Sequence, residues 1–403
     1  MNIVLCSEGA WQRSGGMGLV AVPHIARALA ELGHRVVLET FGPPIPGSES
    51  FTTRNPARAF QEKLVALPYA AHSRYAFSVS GFRHVMDHVR HADFVMLHSL
   101  YSFAVLSGYW AARRYGKKYG VWLHGVLAPF QRTIGARKKG VYDLLFARRI
   151  LEQASVLFYN AVGEREEVVP LHLTAPSVII PHGIDVEPFA HLPPRGAFRA
   201  KYLNGFDGAL LLYLGRLNAK KGLDVLIHAM RLVAPHAPSA RLAIVGAGDP
   251  PEYAEQVKAW VQENGLQERV VLPGLILGEE KMQVLADADV FVLPSFAENF
   301  SFSMFEAMAA RIPLVISDTL NFAPEVERFG AGCVVAREPA AFANAILALV
   351  ASPATRRTMG EQGAQLAARY SWSAVGKQME RTVLALVQHQ PLPRDLVLGQ
   401  AFT

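Results

Sequence analysis

The sequence has few of the features that mark several common classes of protein. Its 403 residues include two cysteines, Cys6 and Cys333, each within an apolar run, which argues against a disulfide framework and a CxxC metal site. No apolar run reaches the roughly 18 residues that a membrane-spanning helix requires. The apolar stretch Ile3–Cys6 is too short for a signal peptide, and acidic Glu8 follows it. We therefore expect a soluble, cytoplasmic protein.

The composition is typical of a globular chain with more than one domain. Hydrophobic residues make up 51% of the sequence and charged residues 18%, so large cores can form and wholesale disorder is excluded. The 32 glycines and 25 prolines follow no fixed period, which excludes collagen-like structure. The length of 403 residues suggests two or three domains.

Positive charge is concentrated in the first half of the chain. Residues 1–185 carry 20 Lys and Arg against 13 Asp and Glu, whereas residues 186–403 carry 20 against 21. Within Arg113–Arg149, ten basic residues accompany one acidic residue, Asp143, and apolar residues such as Val141 and Leu144. This segment predicts either a solvated basic face or a surface that attracts an anionic partner, which would be phospholipid, polysaccharide or nucleic acid. With its apolar neighbours, it predicts peripheral docking on an anionic membrane. Nucleic acid is not expected as a partner, because basic and aromatic residues are not interleaved.

Short apolar runs alternate with longer amphipathic stretches along nearly the whole chain. Runs such as Val95–Leu97 are apolar on both faces, as expected in a parallel sheet that helices cover on each side. This alternation predicts an α/β fold with doubly wound parallel sheets. The predicted strands are Asn2–Cys6, Arg35–Thr40, Phe94–His98, Tyr119–Leu123, Val178–Ile180, Leu210–Leu214, Arg241–Val245, Val270–Leu272, Val290–Leu293, Leu314–Ile316 and Gly332–Val335.

The pattern restarts after residue 180. Val186–Gly205 is rich in Pro, Gly and charge and predicts a linker, which places a domain boundary near residue 190. We therefore expect two Rossmann-like domains facing a cleft, residues 1–190 and 191–370, followed by a helix at Ser373–Val387. Ligands of open parallel sheets bind outside the carboxyl ends of the strands, so the loops at those ends are the candidate sites.

The strongest candidate site follows the strand Val290–Leu293. Glu298 lies in the loop, and Glu306 lies in a helix predicted to begin near Ser301 or Phe302. The arrangement suits a phosphorylated sugar donor, with one carboxylate on the sugar and the other on ribose hydroxyls. Two solvated glutamates at an arbitrary spacing are the alternative. Backbone N–H groups at a helix start bind phosphate, and here they would be those of Asn299, Phe300 and Ser301.

Two cations follow the first strand of the second domain. Arg216 and Lys221 lie in the loop between the strand Leu210–Leu214 and the predicted helix Gly222–Val233. Arg offers a planar fork to phosphate oxygens and Lys a mobile point charge, so together they could neutralise a leaving diphosphate. Ordinary loop basicity is the alternative.

A glycine-rich turn and a histidine are the candidates in the first domain. Gly15 and Gly16 would let the backbone approach a phosphate closely. The turn matches neither G-x-G-x-x-G nor a P-loop, so a nicotinamide site is poorly supported. Pro23 implies that the loop extends to Val22 or that the following helix is kinked. His124 follows a strand, where it could hydrogen-bond a sugar hydroxyl or polarise a reacting centre.

Five motifs occur in a fixed order along the chain. They are a Gly-Gly loop after the first strand, His-Gly at 124–125, P-H-G-I-D at 181–185, G-R-L-x-x-x-K-G at 215–222 and P-S-x-x-E-N-F-x-x-x-x-x-E-A-M-A at 294–309. From about residue 1 to about residue 385 the chain resembles the retaining GT-B glycosyltransferases of the large E-x7-E family. The resemblance implies two Rossmann-like domains and a last helix, within about residues 371–403, that crosses back onto the first domain.

The resemblance also implies roles for the nucleotide-binding residues. Arg216 and Lys221 would bind the diphosphate, helped by the backbone at Gly16. Glu306 would hold the ribose, and the main chain at Leu275 would contact the base.

Further roles concern the sugar and the reaction. Glu298 would contact the donor sugar near the reacting carbon, and His124 would touch it from the first domain. The family transfers sugar with retention and without a metal or other cofactor. A UDP- or GDP-linked donor and a carbohydrate or lipid-linked acceptor are implied, as in the synthesis of surface polysaccharide or glycolipid.

The chain departs from the family pattern at three places. It has Glu298-Asn299-Phe300-Ser301 where E-G-F-G is usual, and Arg311 replaces the glycine before Ile-Pro. The usual Gly-Gly before Pro324-Glu325 is absent. The side chains of Asn299 and Ser301 would narrow the pocket and alter which sugar fits.

Two metal-like patterns have simpler explanations. Asp287-Ala288-Asp289 resembles a D-x-D metal motif, but it precedes a strand, so it predicts a helix-ending turn whose Asp287→Ala variant does little to transfer. His84, His88 and His91 share a helix face at a spacing that could bind zinc, although a solvated or partly buried face is favoured. No metal is expected.

Two other functions remain as alternatives. A sugar-nucleotide epimerase or related enzyme on the same scaffold would not need the ordered Glu pair and Arg–Lys pair. A phosphorylase would be much longer and would carry a pyridoxal lysine.

Overall fold

The computed structural model describes residues 1–8, 17–41, 56–69, 78–133 and 135–402. The chain divides into two compact units, Met1–Gly183 with Trp372–Thr403, and Ile184–Ser371. Residues 184–190, which the sequence placed in the first domain, therefore lie in the second unit. The Ile184 N–H donates to the Tyr370 carbonyl oxygen at 2.7 Å.

The first unit contains a parallel sheet with seven strands among the described residues, in the order β3-β2-β1-β4-β5-β6-β7. Its strands are β1 (Asn2–Glu8), β2 (Arg35–Phe41), β3 (Leu64–Tyr69), β4 (Phe94–His98), β5 (Tyr119–Trp122), β6 (Val156–Tyr159) and β7 (Ser177–Ile179). Its helices are α1 (Met17–Glu31), α2 (Pro56–Ala59), α3 (Val79–Arg90), α4 (Phe103–Arg114), α5 (Pro129–Thr133), α6 (Ala136–Tyr142), α7 (Arg148–Glu152), α8 (Val162–Val168) and, near the carboxyl terminus, α18 (Trp372–Val387) and α19 (Arg394–Leu398).

The second unit contains a six-stranded parallel sheet in the order β10-β9-β8-β11-β12-β13. Its strands are β8 (Ala209–Leu214), β9 (Ala240–Val245), β10 (Val270–Gly274), β11 (Val290–Leu293), β12 (Leu314–Ser317) and β13 (Gly332–Val335). Its helices are α9 (Glu187–Ala190), α10 (Ala197–Tyr202), α11 (Leu223–Val233), α12 (Glu252–Glu263), α13 (Gly278–Asp287), α14 (Phe302–Ala309), α15 (Ala323–Arg328), α16 (Pro339–Ala351) and α17 (Pro353–Arg369).

Burial explains why the strand predictions succeed. Every residue of β4, β5 and β11 is buried, so these strands are apolar on both faces. Two strands were missed. The edge strand β3 contains Pro68, which weakens the pattern of a strand. The length and burial of β6 are those of the predicted strands β5 and β11, so nothing in the structure explains why it was missed.

Two further sequence predictions are decided by the structure. The helix α1 begins at Met17 and contains Pro23, so the loop does not extend to Val22 and the first of the two alternatives for this proline is wrong. The stretch predicted to be a linker contains α9 and α10, and their residues Phe189 and Phe198 are buried. The charged residues of this stretch do not all face solvent, because the guanidinium of Arg199 is buried and pairs with Asp289 inside the second unit. High charge therefore does not identify the stretch as a linker.

Strand order positions the loops that matter for function. In both sheets the first strand lies beside the fourth, β1 beside β4 and β8 beside β11. The chain leaves these two strands in opposite directions across the sheet, which opens a crevice at their carboxyl ends. In the second unit this crevice lies between the loop after β8, with Arg216 and Lys221, and the loop after β11, with Glu298.

Candidate functional site

The loop after β8 packs directly against the loop after β11. Gly222 has a left-handed φ of 66°, and a Cβ atom there would overlap the carbonyl oxygen of Pro294. The Phe296 N–H donates to the Lys220 carbonyl oxygen at 2.8 Å. Only glycine satisfies both the backbone angle and the close approach at position 222. These contacts fix how the two loops lie relative to each other.

Lys221 and Glu298 are in direct contact at this junction. The Lys221 Nζ donates to Glu298 Oε1 at 2.5 Å, and the two side chains are only 13% and 12% exposed. Tyr213 lies beneath them, and burial, with the negative charge of Glu298, raises its pKa well above the usual value, while Arg216 opposes the rise. The structure thus brings together a predicted diphosphate cation, Lys221, and the predicted sugar acid.

Arg216 is more exposed than Lys221 and faces a second acid. Its Nη1 lies 2.6 Å from Asp249 Oδ2, with the side chains 52% and 49% exposed. Its backbone is fixed, because the Tyr213 hydroxyl donates to the Arg216 carbonyl oxygen at 2.7 Å. A pair this exposed contributes little to stability, so Arg216 can exchange Asp249 for another anion at low cost.

The second carboxylate also has a cationic partner that sequence reasoning missed. Lys281 of α13 donates to Glu306 Oε1 at 2.8 Å, and the side chains are 28% and 18% exposed. Lys281 lies in no recognisable motif, and Asp249 lies in the turn Gly246–Asp249 after β9, but each meets its partner only through tertiary packing. Leu275, the predicted base contact, follows β10 and is 57% exposed.

The start of α14 has the form that the sequence predicted. The helix begins at Phe302, and Ser301 is the residue before it. Among the described residues, the backbone N–H groups of Asn299 and Ser301 donate no hydrogen bond. The ring of Phe300 is buried and stacks on Phe305 at 4.2 Å, so only its backbone can contribute to a ligand site.

In the first unit, His124 lies within a chain of imidazoles. It follows β5 with a φ of 53° and is half-buried. Its Nε2 lies 3.0 Å from His98 Nδ1 and its Nδ1 lies 3.2 Å from His182 Nε2. All three rings stack on Trp122. A hydrogen bond from the His124 ring to a sugar would therefore require the exchange of one of these contacts.

Burial keeps the three imidazoles neutral. It lowers the pKa of His98 and of His182 to about 3, and it lowers that of His124 well below the usual value. His98 and His182 were not predicted as partners of His124, because His98 ends β4 and His182 follows β7, whereas His124 follows β5. The Gly-Gly candidates of this unit, Gly15 and Gly16, lie outside the described residues.

The buried carboxylate of Glu164 connects the loops that follow β5 and β6, next to the histidines. Glu164 accepts hydrogen bonds from the Gly125 N–H at 2.5 Å and the Asn160 N–H at 2.6 Å. Burial outweighs these bonds and raises the pKa of Glu164 to about 7. Asn160 in turn accepts from the Trp122 indole N–H at 2.9 Å. Glu164 thus ties the ends of β5 and β6 together.

Neither metal-like pattern forms a metal site. Within the described ranges, no three His, Cys, Asp or Glu side chains come close enough to hold an ion. His88 is buried with its Nδ1 2.5 Å from Glu39 Oε1. Asp287 is also fully buried and accepts from the backbone N–H groups of Gly196, at 2.5 Å, and Arg199, at 3.0 Å.

The basic segment Arg113–Arg149 overlaps a helical stretch from 136 to 152, formed by α6, a π-helical turn (Asp143–Ala147) and α7. Its exposed apolar residues are Val141 at 60%, Leu144 at 85% and Leu145 at 50%. These side chains lie three or four residues from exposed cations, a spacing that places them on the same face of a helix. The cations are Arg137, Lys138, Arg148 and Arg149. In the described residues, no helix is long and apolar enough to cross a membrane.

Comparison with known families identifies the family to which the chain belongs. Residues 195–366 match the family described as Glycosyl transferases group 1, and residues 14–188 match Glycosyltransferase Family 4. The chain belongs to the family 4-like GT-B glycosyltransferases. The fold predicted from the sequence, two Rossmann-like α/β domains of the GT-B type, is confirmed.

Curated relatives of this glycosyltransferase share part of its length. It is 27% identical over 264 residues to D-inositol 3-phosphate glycosyltransferase from Kineococcus radiotolerans, over 61% of each chain. It is 32% identical over 212 residues to phosphatidyl-myo-inositol mannosyltransferase from Mycobacterium leprae, over 52% of this chain and 54% of that protein. The match thus spans between about half and three fifths of these relatives.

Solved structures match the fold along almost the whole chain. Anabaena Alr3699/HepE in complex with UDP superposes with a TM-score of 0.73 and 17% identity, covering 96% of this glycosyltransferase and 100% of that chain. An identity this low establishes the fold alone.

Proposed function

We propose that this glycosyltransferase moves a sugar, with retention of configuration, from a UDP- or GDP-linked donor to a carbohydrate or lipid-linked acceptor. The observation that carries the proposal is the contact between Lys221 and Glu298 at the crevice between β8 and β11. A cation and a carboxylate at a switch point match a ligand that has a diphosphate beside a sugar. The names of the two inositol-directed relatives support an acceptor of the inositol or sugar class.

Each charged residue has a distinct task in this proposal. Lys221 and Arg216 neutralise the diphosphate, and the amides of Asn299, Phe300 and Ser301 donate to its oxygens. Glu306 accepts from ribose hydroxyls, and the main chain at Leu275 contacts the base. Lys221 is the cation that leaves Glu298 when the donor binds, which frees this carboxylate for sugar hydroxyls.

The proposed reaction needs no protein nucleophile. The acceptor oxygen attacks the anomeric carbon on the face from which the diphosphate departs, so configuration is retained. The bond between the anomeric carbon and the phosphate oxygen breaks with its electrons on the diphosphate. The acceptor hydroxyl proton passes to a leaving phosphate oxygen. The products are a glycoside and a nucleoside diphosphate.

Two fixed cations supply the charge stabilisation that a metal supplies in other enzymes. We expect transfer without an added divalent cation and full activity in excess EDTA. His124 is placed near the donor sugar in this proposal, and Gly15 and Gly16 near the diphosphate, as the family resemblance implies.

We propose further that the helical stretch 136–152 docks on an anionic membrane at which a lipid-linked acceptor is held. Its three exposed apolar side chains lie between basic residues on a common helical face, which is the pattern of an interfacial helix. Transfer at that surface would contribute to a glycolipid or surface polysaccharide.

The donor is tested first by a thermal-shift panel of UDP-, GDP- and ADP-sugars, because a ligand stabilises the fold according to its concentration relative to Kd. The donor that gives the largest shift is then incubated with inositol phosphates, sugar phosphates and phosphatidylinositol vesicles, and the product anomer is assigned by NMR. An inverted anomer would contradict retention. Conversion of the donor without acceptor and without release of nucleoside diphosphate would instead support an epimerase.

A further inference from the structure

The ion pair between Lys281 and Glu306 needs an explanation beyond the stability of α13. Lys281 is the fourth residue of this helix, and a cation in the first turn opposes the helix dipole. Its charge is instead directed to Glu306 Oε1 at 2.8 Å on the neighbouring helix α14. A lysine in an unfavourable turn that reaches a half-buried carboxylate suggests a task at that carboxylate.

We propose that Lys281 is a positioning residue that orients Glu306 toward the ribose of the donor and so makes the site select ribonucleotides. This inference rests on the proposed function, in which Glu306 accepts from ribose hydroxyls. An ionised carboxylate has about four lone-pair sites, so Oε2 and the free sites of Oε1 remain available for the ribose while Lys281 occupies one. The ion pair limits the rotamers of Glu306, whose freedom would otherwise be lost on binding.

The location of Lys281 fits this task. Its helix α13 follows the loop that carries Leu275, the proposed contact for the base. Glu306 belongs to α14, which follows the loop that carries Glu298. Lys281 therefore links α13, the helix that follows the proposed base contact, to Glu306, the carboxylate proposed to bind the ribose of the same nucleotide.

The test measures discrimination between ribose and deoxyribose. Titration calorimetry of the full chain with UDP, dUDP, GDP and dGDP gives the preference for the ribonucleotide, which we expect to be tenfold or more. Lys281→Met should weaken binding of the preferred ribonucleotide about tenfold and leave its deoxy counterpart within twofold. Lys281→Arg, which keeps the charge, should restore most of the preference. Glu306→Gln should abolish it.

The control is Lys258→Met, because Lys258 forms an exposed pair with Glu255 and has no ion pair with a described residue of the proposed site. It should bind all four nucleotides as the wild type does. Equal weakening of ribo and deoxy forms by Lys281→Met would overturn the inference, since it would indicate a general effect of charge or folding. If the wild type binds none of the nucleotides, the proposed function fails as well. Binding of the wild type without ribose preference contradicts the ribose contact of Glu306 and the role of Lys281, but not the transfer of a sugar from a nucleotide-linked donor.

Discussion

At the scale of single residues, Lys221 and Glu298 should have the largest effect on transfer. Both lie at the crevice where the diphosphate and the sugar are proposed to bind, and both are largely shielded from solvent. Lys221→Met and Glu298→Gln should each lower kcat/KM by about 100-fold or more, the range found when a preorganised charge-stabilising group is removed. Steady-state release of nucleoside diphosphate measures the effect.

The matched control again uses the exposed pair of Lys258 and Glu255. Lys258→Met should change kcat/KM less than twofold, and all three variants should keep the melting temperature within a few degrees. If Lys221→Met retained wild-type kcat/KM while its fold was intact, the assignment of the diphosphate site would be wrong.

The burial of Asp287 changes the expected effect of its substitution. The sequence suggested that Asp287→Ala would have little effect, but the carboxylate is fully buried and caps two backbone N–H groups of the segment that enters α10. Its removal leaves those two buried donors without their partner, whereas the guanidinium of Arg199 keeps its pair with Asp289. We expect a loss of about 3 kcal/mol or more in the free energy of unfolding.

Urea unfolding followed by circular dichroism measures this loss. Asp207→Ala is the control, because Asp207 is an exposed acid in the same part of the second unit, and its removal should cost less than about 0.5 kcal/mol. Equal midpoints for the two variants would contradict the structural role of Asp287.

At the scale of elements, Gly222 controls how the loops after β8 and β11 meet. Gly222→Ala introduces both left-handed strain, worth about 1–2 kcal/mol, and an overlap with the Pro294 carbonyl oxygen. The overlap should displace Lys221 from Glu298 and weaken donor binding about tenfold or more. Gly265→Ala is the matched control, since Gly265 has the same φ of 66° with no atom within 4 Å of the added Cβ. Gly265→Ala should lose stability but keep donor affinity; a comparable loss of affinity in both would exclude loop packing as the cause.

The imidazole chain at the ends of β4 and β5 predicts a dependence of stability on pH. A base whose pKa is lowered on folding stabilises the fold above its unfolded pKa of about 6.5 and loses that contribution as pH falls toward its folded pKa, here about 3. The pKa of Glu164 is raised to about 7, so this group stabilises the fold below its unfolded pKa of about 4.5 and loses that contribution as pH rises toward 7.

As pH falls from 6.5 to 5, the stability lost through three imidazoles exceeds the stability gained through one carboxyl group. The first unit should therefore become less stable over this range. Urea midpoints across this range measure the slope. His182→Gln should flatten it, because one of the three lowered pKa values is removed, whereas His172→Gln, at an exposed position, should leave it unchanged. A slope that His182→Gln does not alter would contradict the role of the buried chain.

At the scale of the whole molecule, the unequal distribution of charge predicts binding to anionic membranes. The wild-type chain should bind vesicles of phosphatidylglycerol and phosphatidylcholine at low salt, and 0.5 M NaCl should release it. Leu144→Ser with Leu145→Ser should reduce binding about tenfold, because these exposed side chains would enter the interface. The control is Val169→Ser, a residue of the same unit that is 63% exposed. The proposal would be contradicted if the wild type bound neutral vesicles as well as anionic ones, or if the Leu144→Ser, Leu145→Ser double variant bound anionic vesicles as tightly as the wild type.

The buried strands and the start of α14 were predictable from local sequence patterns. Buried parallel strands are apolar on both faces, so runs such as Val290–Leu293 marked the sheets, and the start of α14 near Phe302 followed from its loop. Strand β3 and the helices α9 and α10 were not predictable, because an edge strand with a proline and a charged segment with a buried arginine carry the composition of loops.

The sequence by itself determined which residue types follow each strand, because the order of strand, loop and helix is a local property of the chain. It therefore placed Arg216, Lys221 and Glu298 in loops at strand ends and Glu306 in the helix that follows the last of these loops. Only the tertiary structure decided their partners. The adjacency of β8 and β11 brings Lys221 to Glu298 across 77 positions, and helix packing brings Lys281 to Glu306 across 25. Contacts between residues so far apart in sequence depend on strand order, which no local pattern encodes.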